Sequence, residues 1–278
     1  MIKTSDNFVL ESAIFPGIVT AAELDELVAG NIAEIELCCV RHRFDYHDPE
    51  CVGNISKDIK SRGIAVASVH LPFGPALDIS NRDRKIRTLA LDELKTVVAL
   101  SMDMGADIMV IHPGVHLEDG ENRSERLETA AASIRQLLAQ LPSTGFTLAV
   151  ENLPPGYLGE TAVELRRLID MVDDGRTGFC LDTGHAHLTG QMTALLQCCG
   201  RELVNIHVHD NCGDGDRHLA PGQGTIDWPA LMLSLQVCGY AGPLTWEIVN
   251  EGDPVIRRKI LAQFNSGREE FWINKEEL

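Results

Sequence analysis

Short apolar runs alternate with longer amphipathic segments along the whole of this 278-residue chain, and that alternation limits the fold more than any other feature. The runs cover 8–14, 33–39, 64–70, 107–112, 147–151, 178–182, 203–208 and 243–247. Segments with helical period lie near 21–30, 50–62, 83–104, 124–140, 161–172, 191–200, 228–238 and 254–264. Runs such as TLAV and GFCL are apolar on both faces, as parallel strands covered by helices are. Eight strand–helix units predict an α/β chain folded as one (β/α)8 barrel, a fold commonly of about 250 residues. We read residues 1–278 as a single domain, with the charged tail after about residue 265 peripheral. An open doubly wound sheet is the alternative, but no G-x-G-x-x-G follows the first run. Local signals agree with the helices. Thr20 stands three residues before Glu23 in a capping-box spacing, and Asp227 precedes Trp228-Pro229, which places proline near a helix start.

A hydrophobic content of 44% suits a sizeable core. No run of about 20 apolar residues suggests a membrane span, and MIKTSDNF lacks the basic start and apolar stretch of an export signal. The expected location is therefore the cytoplasm, and the eight cysteines, none in a C-x-x-C pair, read as small buried hydrophobes in a reducing compartment. A formal charge of -17, from 24 basic and 41 acidic residues, argues against a non-specific nucleic-acid binder. It weighs less against an enzyme that meets DNA through a local groove or a bound metal. Arg41 and Arg43, after the second run, could face such a backbone.

Six runs from the third onward end in a carboxylate or an imidazole: His70, His112, Glu151, Asp182, His207 and Glu247. Buried and unpaired, each would cost several kcal/mol. Their spacing is roughly one βα repeat, which places one per strand in an arc around the carboxyl-terminal mouth of a barrel, where active groups gather. Positions i-2 and i-4 of a strand share the face of position i. They are small or apolar: Ala149 and Thr147, Cys180 and Gly178, Val110 and Ile108, Ser68 and Val66. A lone strand-end His or Asp is most simply a cap, but six in phase form a pocket of oxygen and nitrogen donors. Such a set suits zinc, manganese or iron better than calcium.

Two loops add donors to the same mouth. His185 follows Asp182 by three residues, and GDGDRH offers Asp216, Arg217 and His218, where Asp-x-His could hold a further ion. Arg217, always charged and forked, is the candidate to grip an anionic or hydroxylated substrate. His116, His187 and His209 are weaker candidates, and Glu36 reads equally as a mouth residue or a surface carboxylate. Trp228 and Trp246 read as packing, and Phe73 as either pocket wall or core. A P-loop, a G-x-S-x-G elbow and a strand-end lysine are all absent, which removes nucleotide-loop, serine-hydrolase and Schiff-base readings and leaves metal-assisted chemistry.

With those residues in hand, the chain resembles the xylose isomerase-like TIM-barrel superfamily. That group spans sugar and sugar-phosphate isomerases and epimerases, dehydroshikimate dehydratases and endonuclease IV-type DNA repair enzymes. The resemblance is carried by VHLPFG, IHPGVH, VENLPP, CLDTGHAHLTG, NIHVHDN, GDRHLAPGQGTIDW and TWEI. In the isomerase branch it implies one main metal on Glu151, Asp182, His207 and Glu247. There Glu151 and Glu247 would transfer protons around an enediolate, and His185 and Arg217 would hold substrate, with His70 and His112 beside it. In the endonuclease branch it implies three zinc ions. His70, His112 and Glu151 would hold one, Glu151, Asp182, His207 and Glu247 a second, and His185, Asp216 and His218 the third. The leading expectation is a divalent-metal-dependent sugar or sugar-phosphate isomerase or epimerase, with one to three zinc or manganese ions and a small carbohydrate substrate. The alternative is a zinc phosphodiesterase cutting at abasic sites. Lyase chemistry, a non-catalytic sugar binder and a homo-oligomer stay open.

Overall fold

The computed structural model describes residues 8–249 and 253–267, with the backbone alone at 266–267. Eight strands close into a parallel barrel in sequence order, the first paired to the last. They are β1 (Phe8–Glu11), β2 (Glu34–Cys38), β3 (Ala65–His70), β4 (Ile108–Ile111), β5 (Thr147–Glu151), β6 (Thr177–Asp182), β7 (Leu203–Val208) and β8 (Leu244–Trp246). Around them run α1 (Ala21–Ala29), α2 (Pro49–Ser61), α3 (Arg84–Asp103), α4 (Arg123–Leu138) and α5 (Ala162–Val172). The circle is completed by α6 (Thr183–Thr189), α7 (Met192–Cys199), α8 (Trp228–Cys238) and α9 (Pro254–Gly267). The tail beyond these residues lies outside the described part of the chain. No described helix is long and apolar enough to cross a membrane.

The capping signals act as read. Thr20 and Glu23 form a reciprocal capping box on α1, and the Asp227 carboxylate accepts from the Ala230 amide at the start of α8. Strand ends differ in detail. β1 stops at Glu11 and turns into a 3-10 helix at Ser12–Ile14, so the run to residue 14 is strand only in its first half. His112 and Glu247 stand just past β4 and β8, and His207 is the next-to-last residue of β7. The short helix α6 has no counterpart in the sequence reading, because seven residues rich in Gly and His show no apolar period.

Alternation along the strands sorts the core into two layers. Met109, Ile111, Leu148, Val150, Phe179 and Leu181 join the large cluster beneath the helices, while Val110, Ala149 and Cys180 form a small one inside the barrel. Each fully buried aliphatic side chain contributes about 1.5–3 kcal/mol. Val66 departs from expectation: the β2–β3 register shifts between Ile35 and Glu36, skipping Ala67, so Val66 joins the outer cluster while Ser68 and His70 remain buried below the mouth.

The interior is not uniformly apolar. Glu11, Glu36, Ser68, Asn205 and Thr245 are all buried there. Oε2 of Glu36 accepts from Ser68 Oγ and from Asn205 Nδ2 at 3.0 Å, and Asn205 Oδ1 accepts from Thr245 Oγ1 at 2.9 Å. The cysteines are all free, with Cys38, Cys39, Cys180 and Cys199 buried as read, but Cys198 and Cys212 exposed.

Candidate metal centre

The six strand-end residues meet at one mouth. Nδ1 of His207 lies 3.0 Å from Glu151 Oε1 and 3.0 Å from Glu247 Oε2. Oε2 of Glu151 lies 3.3 Å from His70 Nε2 and 3.1 Å from His112 Nε2. One donor atom from each of Glu151, Asp182, His207 and Glu247 falls within 4.8 Å of the others, and the same holds for His70, His112 and Glu151. A third group joins the loops: Asp216 Oδ2 lies 3.2 Å from His185 Nε2 and 3.3 Å from His218 Nε2.

Local structure aims these donors. Asp182 ends β6 and also caps α6, where its Oδ1 accepts from the His185 amide at 2.7 Å, so strand end and helix start share one carboxylate. His218 adopts a left-handed backbone, φ 46°, which for a residue other than glycine is costly. Its Nδ1 donates to the Glu247 carbonyl at 2.9 Å and fixes the ring in that conformation. His70 and His185 are held the same way, Nδ1 donating to the carbonyls of Leu71 at 3.0 Å and Asn152 at 2.9 Å. A carbonyl only accepts, so in each neutral ring the proton sits on Nδ1 and the Nε2 lone pair faces the carboxylates.

Bare nitrogens facing carboxylate oxygens repel unless positive charge lies between them. Without metal that charge is a second proton. Burial alone would lower the His70 and His185 pKa values, but the surrounding carboxylates outweigh it and raise them to about 9 and about 10. His207 and His218 are likewise held well above the usual range. Glu151 and Glu247, although buried, are held well below theirs, His207 being the largest favourable charge on each. Burial wins only at His112, whose pKa is lowered. Oε2 of Glu151 and Oε2 of Glu247 are buried without a hydrogen bond. Buried carboxylate oxygens facing imidazole nitrogens, oriented rings and a mixed carboxylate–imidazole donor set fit a divalent cation such as zinc or manganese.

The sequence profile described as xylose isomerase-like TIM barrel matches residues 25–268. This chain belongs to that family. An uncharacterized protein of Methanocaldococcus jannaschii, MJ1311, is 26% identical over 263 residues, covering 89% of this chain and 88% of that one. The probable endonuclease 4 of Acholeplasma laidlawii is 29% identical over 193 residues, 63% of this chain and 64% of that protein, so the chain spans less than two thirds of it. Among solved structures, a D-tagatose 3-epimerase-like protein superposes with TM-score 0.80 at 23% identity, covering 95% of this chain and 99% of its own. The IOLI protein with a zinc atom superposes with TM-score 0.80 at 16% identity, covering 96% and 99%. At these identities the structural likeness establishes the fold.

In this xylose isomerase-like barrel the remaining candidates separate clearly. Arg217 is half exposed and turned onto Asp214, outside the cavity at the mouth, because the acidic neighbour three residues back captures it. Arg43 is pinned to the carbonyls of Ala13 and Phe15, and Arg41 is exposed beside Asp45. His116 lines the cavity rim against Tyr157, and His187 contacts Thr225 Oγ1 at 2.9 Å. Phe73 stacks on His112 at 4.3 Å and serves as a wall. Trp246 packs between Phe8 and Phe264, and Trp228 Nε1 donates to Asp210 Oδ2 at 3.0 Å.

Two roles escape the sequence reading, and a third, that of Glu36, is open in it between mouth and surface. Glu36 lies wholly buried under the mouth, its Oε1 3.0 Å from His207 Nε2, rather than at the surface. Glu11, buried with both oxygens unpartnered, has its pKa raised to about 8, chiefly by burial and then by Glu247 and Glu36. Asp210 anchors the loop that carries Asp216 and His218, accepting from the amides of Asn211, Gly222 and Ile226 as well as from Trp228. Alternation in EIELC sets Glu36 on one face with the half-buried Glu34, opposite Ile35 and Leu37, and does not say whether that face is interior or solvent. Glu11 and Asp210 left no comparable signal.

Proposed function

We propose that this chain is a divalent-metal-dependent isomerase or epimerase acting on a small sugar or related polyol-ketone. The observation that carries the reading is a pair of carboxylates, Glu151 and Glu247, each 3.0 Å from one imidazole nitrogen of His207 and both lining one cavity. That cavity has a volume of about 550 Å3, within the usual range for small-ligand sites, and among the described residues no lysine or arginine lines it. A wall without lysine or arginine favours an unphosphorylated substrate over a sugar phosphate.

A bound cation would sit on Glu151, Asp182, His207 and Glu247 and would supply Lewis-acid polarisation of adjacent carbonyl and hydroxyl oxygens. The chain itself moves the proton. Glu151 and Glu247 are ionised at neutral pH and come from separate strands, so one takes the proton from the carbon beside the carbonyl and the other returns it. His185 and His70, with rings fixed from behind by backbone carbonyls, orient hydroxyls at the base. Phe73, Leu153, Pro154 and Tyr157 cover the less polar face and exclude water. Incubation with a panel of free ketoses in deuterated water tests this. Deuterium should enter at the exchangeable carbon of at least one, and its absence from all of them, with metal loaded, refutes the reading.

A second reading, a zinc phosphodiesterase acting at abasic sites, is favoured by one observation: two donor groups share Glu151, and a separate one gathers His185, His209, Asp216 and His218, enough for three ions. The inward-facing Arg43 and the -17 charge oppose it. Nicking of abasic duplex DNA by zinc-loaded protein is its test.

A further inference from the structure

His209 belongs to the His-x-His of NIHVHDN but has no part in the reaction proposed above. It is fully buried, and its Nε2 lies 3.0 Å and 2.9 Å from Oδ1 and Oδ2 of Asp182. Its backbone is locked to Thr183, whose Oγ1 donates to the His209 carbonyl at 2.7 Å and accepts from the His209 amide at 3.1 Å. Its ring stacks on His218 at 4.0 Å and 15°. The space it fills is reserved for it: a Cβ on Gly184 would come 2.0 Å from His209 Cε1. Asp182 meanwhile takes the His185 amide on Oδ1, so helix α6 and His209 together hold the carboxylate from behind.

We infer that His209 is a positioning residue, which donates from Nε2 to Asp182 and holds that carboxylate in the orientation that completes the donor set of Glu151, His207 and Glu247. A carboxylate accepts only, so the ring must carry its proton on Nε2. Nδ1, buried without a partner, is then bare. Partners of this kind behind a ligand typically change metal affinity by about 10–100-fold. The stack on His218 ties the same ring to the loop donors, so the barrel site and the loop site share one support. The inference rests on the metal-centre reading, and its test separates the two.

Zinc and manganese affinities, measured by chelator competition on folded wild type, His209→Gln and His209→Asn, provide that test. The Gln amide reaches the place of Nε2 and keeps the donor, whereas the Asn amide reaches only the place of Nδ1 and loses it. Gln should therefore bind close to wild type, and Asn about 10–100-fold more weakly. Equal affinity in all three proteins overturns the inference alone, whereas a wild type that takes up neither ion overturns the metal-centre reading beneath it. If His209→Asn does not fold, nitrogen NMR of the zinc-loaded wild type decides. A protonated Nε2 with a bare Nδ1 supports the assignment, and a metal-bound Nε2 or a protonated Nδ1 overturns it.

Discussion

Oε1 of Glu151 lies 3.0 Å from Nδ1 of His207, at the centre of a mouth where the imidazoles of His70, His112, His185 and His218 also face carboxylates. Each such pair needs either a shared proton or a cation.

Proton and cation compete for the same nitrogens. In metal-free protein His207, held well above the usual imidazole range, carries at neutral pH a proton that an incoming ion must displace, and His70, near 9, and His185, near 10, add positive charge beside the site. Apparent zinc or manganese affinity should thus rise between pH 6 and pH 9, by about tenfold per unit for each proton released. Calorimetry in buffers of different ionisation enthalpy counts those protons. An affinity flat across this window contradicts the assignment.

Glu151→Gln and Glu247→Gln should each lower the rate of deuterium exchange by about 10²–10⁴-fold, the usual worth of a placed acid or base. Both residues are also candidate ligands, so metal content must be measured alongside rate. A variant that keeps its metal and exchanges at the wild-type rate removes that residue from proton transfer.

Glu11 makes the apo protein sensitive to pH. Its pKa is raised in the fold from 4.5 to about 8, so the folded state binds the proton more tightly than the unfolded chain. Its contribution is fully present below pH 4.5 and is lost as pH rises toward 8. Glu11→Gln keeps the shape and removes the charge. Metal-free Glu11→Gln should match wild type at about pH 4.5 and exceed it by about 1 kcal/mol or more above pH 8, in urea unfolding. The same difference at both ends indicates another cause.

Much of this architecture is legible in the sequence because burial on both faces leaves continuous apolar runs, and their polar ends mark the mouth. Glu151 and Asp182 stand at the ends of β5 and β6, where carboxylates closing TLAV and GFCL place them. Glu11 is hidden because β1 is only four residues long and gives no alternation to place its last side chain. Arg217 shows the other side: its chemistry suits substrate binding, and only the folded loop shows its guanidinium lying against Asp214. Asp210 resembles any polar loop residue until four donors from Asn211, Gly222, Ile226 and Trp228 converge on it.

That convergence makes Asp210 a sensitive position. Asp210→Ala strands several buried donors, each costing about 1–3 kcal/mol when unmet. The variant should lose stability and should cut fastest under limited proteolysis in the segment 211–226. A thermal midpoint and cleavage pattern like wild type would show that the loop is held by other contacts.

The central claim is that Glu151, Asp182, His207 and Glu247 hold one cation between them. Anomalous diffraction at the zinc or manganese edge, from crystals grown with saturating metal, tests it most directly. The account predicts a peak at bonding distance, about 2.0–2.2 Å, from donor atoms of all four residues. An ordered mouth with no anomalous peak among them would contradict it.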